Sequence, residues 1–376
     1  MRTHRLPIAA ALLTVLTGAP GFAGIVAVND AVPYPQLFSP TGTSDDPTVF
    51  KYDNYVRDFG AMQGLDIGTY HPFIQLHVVN QSRITSTKIW FVGGDYPNKT
   101  FESQRPEDYP GSQTLLIDDS TMSTGELRVG SKNSNNTLLL RNGASLDVGL
   151  GLYINRHEGV INSNGVRGNS VRVTGRSTLT VNGGDLFVGY GDSSDEGLVV
   201  TDGSTVTVGN DAASRRLRMR FTHDSHVRVS GAGSRVFVTG GVSLGESNTY
   251  CYGNKLTLDN GGELWVRNAG GGAPLSSTFV PGREMNKVQL AGGALVVFGD
   301  QTANATIQNL IWVWDGDAYV DGARASAPLQ PGQFSAVYHT DGSYAGYTVF
   351  TGGVPLPEPA SAALGLGGLM LMTGRR

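Results

Sequence analysis

An all-β fold, a right-handed parallel β-helix, is what this sequence predicts, and three observations predict it. Apolar residues alternate with a period of two over short runs, Gly- and Asn-containing turns separate those runs, and the whole unit recurs roughly every 28 to 32 residues. The stretch Ser170–Gly189 shows the unit most plainly. Val171 and Val173 flank Arg172, Leu179 and Val181 flank Thr180, and Leu186 and Val188 flank Phe187. A period of two puts each apolar set on one face of a strand. Thr174–Ser177 and Asn182–Gly184 are turn chemistry, because Gly and Asn tolerate positive φ.

Taken in order, Gly24 to about Tyr70 carries Pro33, Pro35, Pro40 and Pro47 and no repeat. Residues 24–72 therefore read as an irregular N-terminal segment that caps the first repeat, since exposed solenoid ends need cover. Repeats are expected over 73–299. They start with Ile74, Leu76 and Val78, the turn Asn80–Ser82, Ile84, and Ile89–Val92. The next has Leu115 and Ile117, Asp118–Ser120, then Leu127 and Val129; another has Leu138 and Leu140, Asn142-Gly143, Leu146 and Val148, then Leu152 and Ile154. After the Ser170–Gly189 unit come Leu198 and Val200, Val206 and Val208, Leu217 and Met219, followed by Val227 and Val229, Val236 and Val238, Val242 and Leu244. Leu256 and Leu258 with Leu264 and Val266, then Val288 and Leu290 with Leu295 and Val297, complete the series. A β-sandwich also has recurring turns, but it needs no single period across so many copies. Residues 300–351, with Ile307–Trp314 and the aromatics of Tyr338–Phe350, read as a terminal β cap, and 352–356 as a linker.

Composition restricts function more than it names it. The chain has 376 residues, 52 glycines, 39% hydrophobic residues and a formal net charge of -4. That charge offers no electrostatic argument for nucleic acid. Cys251 is the only cysteine, which excludes an intramolecular disulfide and a multi-cysteine metal site, and reads as an inert thiol.

Both ends read as addresses. Arg2, His4 and Arg5 precede the apolar run Leu6–Leu16, and Gly21-Phe22-Ala23 supplies the small residues that a signal peptidase reads, so residues 1–23 are expected to be removed after Ala23. At the other end Pro357-Glu358-Pro359 precedes an uncharged run from Ala360 to Gly374, closed by Arg375-Arg376. Cationic residues after an apolar run resist translocation. Residues 357–376 resemble the PEP-CTERM sorting signal of exported bacterial proteins. The resemblance covers about the last twenty residues and implies an apolar helix inserted transiently in the membrane. It also implies recognition by an exosortase-type processing enzyme and delivery to the cell surface or extracellular matrix, in association with extracellular polysaccharide.

In a β-helix enzyme, outward side chains of adjacent coils gather into a site. The expected outward columns are Leu139, Arg172, Val199, Arg228, Thr257 and Gln289; Asp147, Thr180, Thr207, Phe237, Trp265 and Val296; and Arg128, Tyr153, Phe187, Arg218 and Ser243. None stacks two carboxylates, as glycoside hydrolysis requires, and clustered acids with a base, as in calcium-dependent lyases, are missing too. No catalytic residue and no cofactor is assigned. Phe237 with Trp265, and Tyr153 with Phe187, are candidate platforms for sugar rings, although stacked outward aromatics also stabilise sheets. Asp192, Asp195 and Glu196 are a weak calcium candidate, matching no known loop motif; a solvated acidic turn is the plainer reading. His223, Asp224 and His226, and His157-Glu158, are weaker still. No P-loop, dinucleotide fingerprint or nucleophile elbow is present. The expected function is a non-catalytic structural or adhesive protein of the cell surface. The alternative is a polysaccharide lyase or glycoside hydrolase on the same scaffold, since fold does not fix function.

Overall fold

The computed structural model of the chain describes residues 25–27, 47–60, 66–67, 73–93, 111–131, 134–156, 167–246, 251–321 and 334–356. They form an all-β protein of three long sheets with 12, 11 and 8 strands. Consecutive strands go to different sheets. Thr137–Arg141, Ser145–Val148 and Leu152–Arg156 lie in the first, second and third sheets, and Ser170–Val173, Thr178–Val181 and Leu186–Ser194 repeat the circuit beside them. All pairings in these circuits are parallel, which separates the fold from an antiparallel sandwich. From Leu138 through Val171, Leu198, Val227 and Leu256 to Val288, partners stand 33, 27, 29, 29 and 32 residues apart.

Register explains the core. Leu76, Leu115, Leu138, Val171, Leu198, Val227, Leu256, Val288 and Ile311 are successive partners in the first sheet, and all are buried. Leu146, Leu179, Val206, Val236, Leu264 and Leu295 do the same in the second, and Trp90, Leu127, Leu152, Leu186 and Leu217 in the third. These columns meet in one continuous hydrophobic cluster. Each such side chain contributes about 1.5–3 kcal/mol relative to exposure.

The turns stack as regularly as the strands. Asn142 (φ 56°) and Gly143 (φ 79°) take the left-handed conformation that turns the chain from the first sheet to the second. In those turns Ser82, Ser120, Ser177, Ser204 and Ser234 are buried. Ser82 N donates to Ser120 Oγ at 3.1 Å, Ser177 N to Ser204 Oγ at 3.1 Å, and Gly203 N to Ser234 Oγ at 3.0 Å. A second buried column stands just before the first-sheet strands: Gln113, Asn136, Asn169, Glu196, Ser225, Asn254 and Asn286. Asn136 N donates to Asn169 Oδ1 at 3.0 Å, Ser225 N to Asn254 Oδ1 at 3.1 Å and Asn254 N to Asn286 Oδ1 at 3.0 Å. Backbone groups of the turns cannot join a strand ladder, and these side chains satisfy them where water is excluded.

The parallel pairing reaches further toward the N-terminus than the sequence pattern does. Thr48–Asp53 pairs in parallel with Ile74–Val79, Val56–Asp58 with Arg83–Thr85, and Asp66–Ile67 with Ile89–Val92. Within 24–72, which the sequence presents as an irregular segment and cap, the described residues include one circuit of the three sheets. Its alternation is obscured because Arg57 occupies the position paired with buried Ile84, whereas Val56 points outward and is 72% exposed.

At the other end the pairing changes sense. Ile311–Trp314 adds in parallel to Lys287–Ala291, but Tyr319–Asp321 turns back antiparallel on it. Tyr347–Thr351 lies antiparallel on Ala294–Phe298, and Ser335–Tyr338 antiparallel on Tyr347–Thr351. The short helix Ala305–Gln308, whose Asn304 cap accepts from Ile307 N at 3.3 Å, packs beside Leu275–Ser276 and buries Ile307. No helix among the described residues is long and apolar enough to cross a membrane. Ala23 and the sorting-signal residues Pro357, Glu358, Pro359, Arg375 and Arg376 lie outside the described residues.

Candidate functional site

Outward positions on the third sheet gather arginines, aromatic rings and carboxylates into one patch. Arg128 and Tyr153 are partners, then Tyr153 and Phe187, then Phe187 and Arg218, in the order the sequence alternation predicts. Beside this column runs a second, Arg156, Tyr190 and Arg220. Tyr153 and Phe187 stack at 4.9 Å and 4°. Their other contacts are also within the protein: Arg156 lies 4.4 Å from the Tyr153 centroid, Arg218 5.1 Å from that of Phe187, and Tyr190 meets both rings edge-on. Phe187 is only 6% exposed. The predicted platform is therefore a stack whose ring faces the protein itself covers.

The carboxylates of this patch hold the arginines upright. Glu126 Oε1 accepts from Arg128 Nε at 2.6 Å and from Arg156 at 2.8 Å. Arg218 donates to Asp185 at 2.9 Å and forks onto both oxygens of Glu246. Burial works against the charge of Arg218, but its hydrogen bonds to Glu246 and Asp185 outweigh that and raise its pKa. Arg216 and Arg220 reach the same Glu246 only at 3.9 Å, beyond hydrogen-bond distance. Burial raises the pKa of the Tyr153 phenol, so the ring stays neutral.

The second predicted platform is also covered. Phe237 and Trp265 are registered partners with centroids 5.7 Å apart, and Tyr344 stacks on Trp265 at 5.2 Å. Glu263 ties the cluster together: its Oε2 accepts from Trp265 Nε1 and Arg235 Nε, each at 2.9 Å, and its Oε1 from the Tyr344 hydroxyl at 2.7 Å. The bond to Glu263 is the main reason the Tyr344 pKa is raised. An open cleft of about 410 Å³ adjoins Glu263, lined by Gly261, Gly292, Gly293, Ala294, Ser335 and Thr351 among others. Tyr344 comes from the chain's C-terminal part, and nothing in the repeat pattern signals it as the cover of Trp265.

The acidic turn divides. Asp195 is exposed, at φ 58°, whereas Glu196 is fully buried in the asparagine column. The Asp192 side chain lies outside the described residues. Glu196 Oε1 faces Asn169 Nδ2 at 3.4 Å, and its Oε2 has no hydrogen-bond partner. Burial drives its pKa well above the ordinary carboxylate range. The remaining candidates also separate: His223 pairs with Asp224 at 2.9 Å and stacks on Tyr252, while His226 sits in the first sheet with its pKa lowered by burial. His157 and Glu158 lie outside the described residues. Among the described residues no group of three His, Cys, Asp or Glu side chains is placed to hold a metal ion. Cys251 is buried, its Sγ accepting from Phe221 N at 3.1 Å.

No protein-family model, no curated protein and no solved structure matches this chain.

Proposed function

We propose that the three sheets are the walls of a right-handed parallel β-helix, and that the chain is an exported, non-catalytic structural or adhesive protein. In this reading it associates with extracellular polysaccharide at the cell surface or matrix. Signal peptidase removes residues 1–23, and an exosortase-type enzyme processes residues 357–376 after transient membrane insertion. The two terminal patterns support the route, and long regular faces suit a scaffold.

The observation that carries the non-catalytic reading is where the protonatable acid sits. A glycosidase needs one carboxyl kept protonated beside a second, both facing the sugar. Glu196 has a pKa raised well above the ordinary carboxylate range, and it is sealed in the interior. On the outer faces Glu126, Asp185, Glu246 and Glu263 are each engaged by an arginine side chain, so none stands free beside a second acid.

The test mixes purified protein with extracellular polysaccharide from the source cells and follows both co-sedimentation and chain length. Co-sedimentation with unchanged chain length is expected; shorter products would replace this reading with the polysaccharide-cleaving one. A second expectation concerns the tail. Deleting Pro357–Arg376 should leave the melting temperature within a degree or two and change only where the protein accumulates. A truncated chain that misfolds would show that these residues belong to the fold.

A further inference from the structure

The outer face of the third sheet contains cations that its carboxylates do not fully engage. Among the described side chains three guanidinium groups, Arg216, Arg218 and Arg220, share two carboxylates, Asp185 and Glu246. Both Glu246 oxygens are taken by the fork of Arg218. Arg216 and Arg220 flank that pair at 3.9 Å without hydrogen-bonding to it, and their side chains remain 39% and 32% exposed. Arg220 is also held in place, its guanidinium 5.1 Å from the Tyr190 ring and 5.0 Å from Phe221, and its Nε is buried with no hydrogen-bond partner. Two pre-positioned guanidinium groups on either side of a neutralised pair are suited to receive an external carboxylate.

We propose that this face binds a carboxylate-bearing glycan, a polyuronate, through Arg216 and Arg220. The proposal rests on the glycan-associated reading above and names the class of glycan. Charge complementarity selects the partner. Arg218 and Arg220 lie on the strand Leu217–His223 and Arg216 immediately precedes it, so the Arg216 and Arg220 guanidinium groups stand on either side of one carboxylate, a span over which a polymer with an acid on each sugar presents more than one carboxylate. A single-stranded nucleic acid would need open aromatic faces for its bases. Here Tyr153 is covered by Phe187 and Arg156, and Tyr190 by Arg220. Recognition is therefore ionic, at the guanidinium tips, and not by ring stacking.

The experiment uses the full chain and measures affinity for polygalacturonate, a neutral galactan, a sulfated galactan and single-stranded DNA by affinity electrophoresis. Polygalacturonate should bind most tightly, with affinity falling as salt rises. The double variant Arg216→Gln/Arg220→Gln keeps the Arg218 contacts, so its melting temperature should be unchanged while polygalacturonate affinity falls at least tenfold. A control, Arg83→Gln/Arg176→Gln, removes two exposed charges elsewhere and should bind as the parent does. Equal losses in both double variants, no loss in the first, or preference for the sulfated polymer or DNA would overturn the proposal. Neutral galactan bound as tightly as polygalacturonate would overturn it while leaving the glycan-associated reading standing. Failure to bind any of the glycans or the source polysaccharide would remove both.

Discussion

Replacing Val173 with aspartate should abolish the folded state. Val173 is fully buried, paired with Leu140 on one side and Val200 on the other. The substitution removes apolar packing worth about 1.5–3 kcal/mol and leaves a carboxyl with no partner in a column of methyl groups. A combined cost above about 4 kcal/mol is expected, a large fraction of the ~5–15 kcal/mol by which whole domains are stable. The same substitution one position earlier, Arg172→Asp, puts the carboxylate on the exposed face and should shift stability by less than about 1 kcal/mol. Urea unfolding followed by circular dichroism, with limited proteolysis, separates the two. A folded, protease-resistant Val173→Asp protein would show that the inward assignment of this strand is wrong.

The contrast between positions 172 and 173 also marks how much of the fold was legible. Strand alternation is a local signal, so the inward columns and the outward partners Tyr153 and Phe187, or Phe237 and Trp265, could be aligned by counting from turns such as Asn142-Gly143. The first circuit was not legible, because Arg57 and Val56 reverse the expected polarity there and Phe50 and Tyr52 stand where later circuits use Leu or Val. What covers an outward ring was not legible either. Tyr344 lies in the turn between the antiparallel strands Ser335–Tyr338 and Tyr347–Thr351, and no period connects it to Trp265. The Arg216–Arg220 pair was missed because its significance lies in Glu246 being engaged by Arg218, a fact of side-chain geometry and not of spacing.

Glu196 is the residue whose role changes most between sequence and structure, and its titration should set how stability depends on pH. Read locally, it is an acid in a polar turn; aligned with the other circuits, it occupies the buried position filled by Gln113, Asn136, Asn169, Asn254 and Asn286. Burial raises its pKa, so the folded chain retains a proton that the unfolded chain releases near 4.5. Its contribution to stability is therefore fully present below pH 4.5 and is lost as pH rises through the folded pKa. The loss runs at about 1.4 kcal/mol per pH unit wherever the folded chain holds this proton and the unfolded chain does not. Glu196→Gln keeps a neutral side chain of nearly the same size, able to accept from Asn169 and to donate in the interior. The variant should match the parent near pH 4 and exceed it by a margin that widens as pH rises above 4.5. Urea midpoints from pH 4 to 8 provide the check: the parent curve should fall away from the variant curve above pH 4.5. Parallel curves would mean that Glu196 ionises freely in the folded protein and reaches water. The asparagine column would then be open at that circuit, and an acid at this position would carry no stability cost.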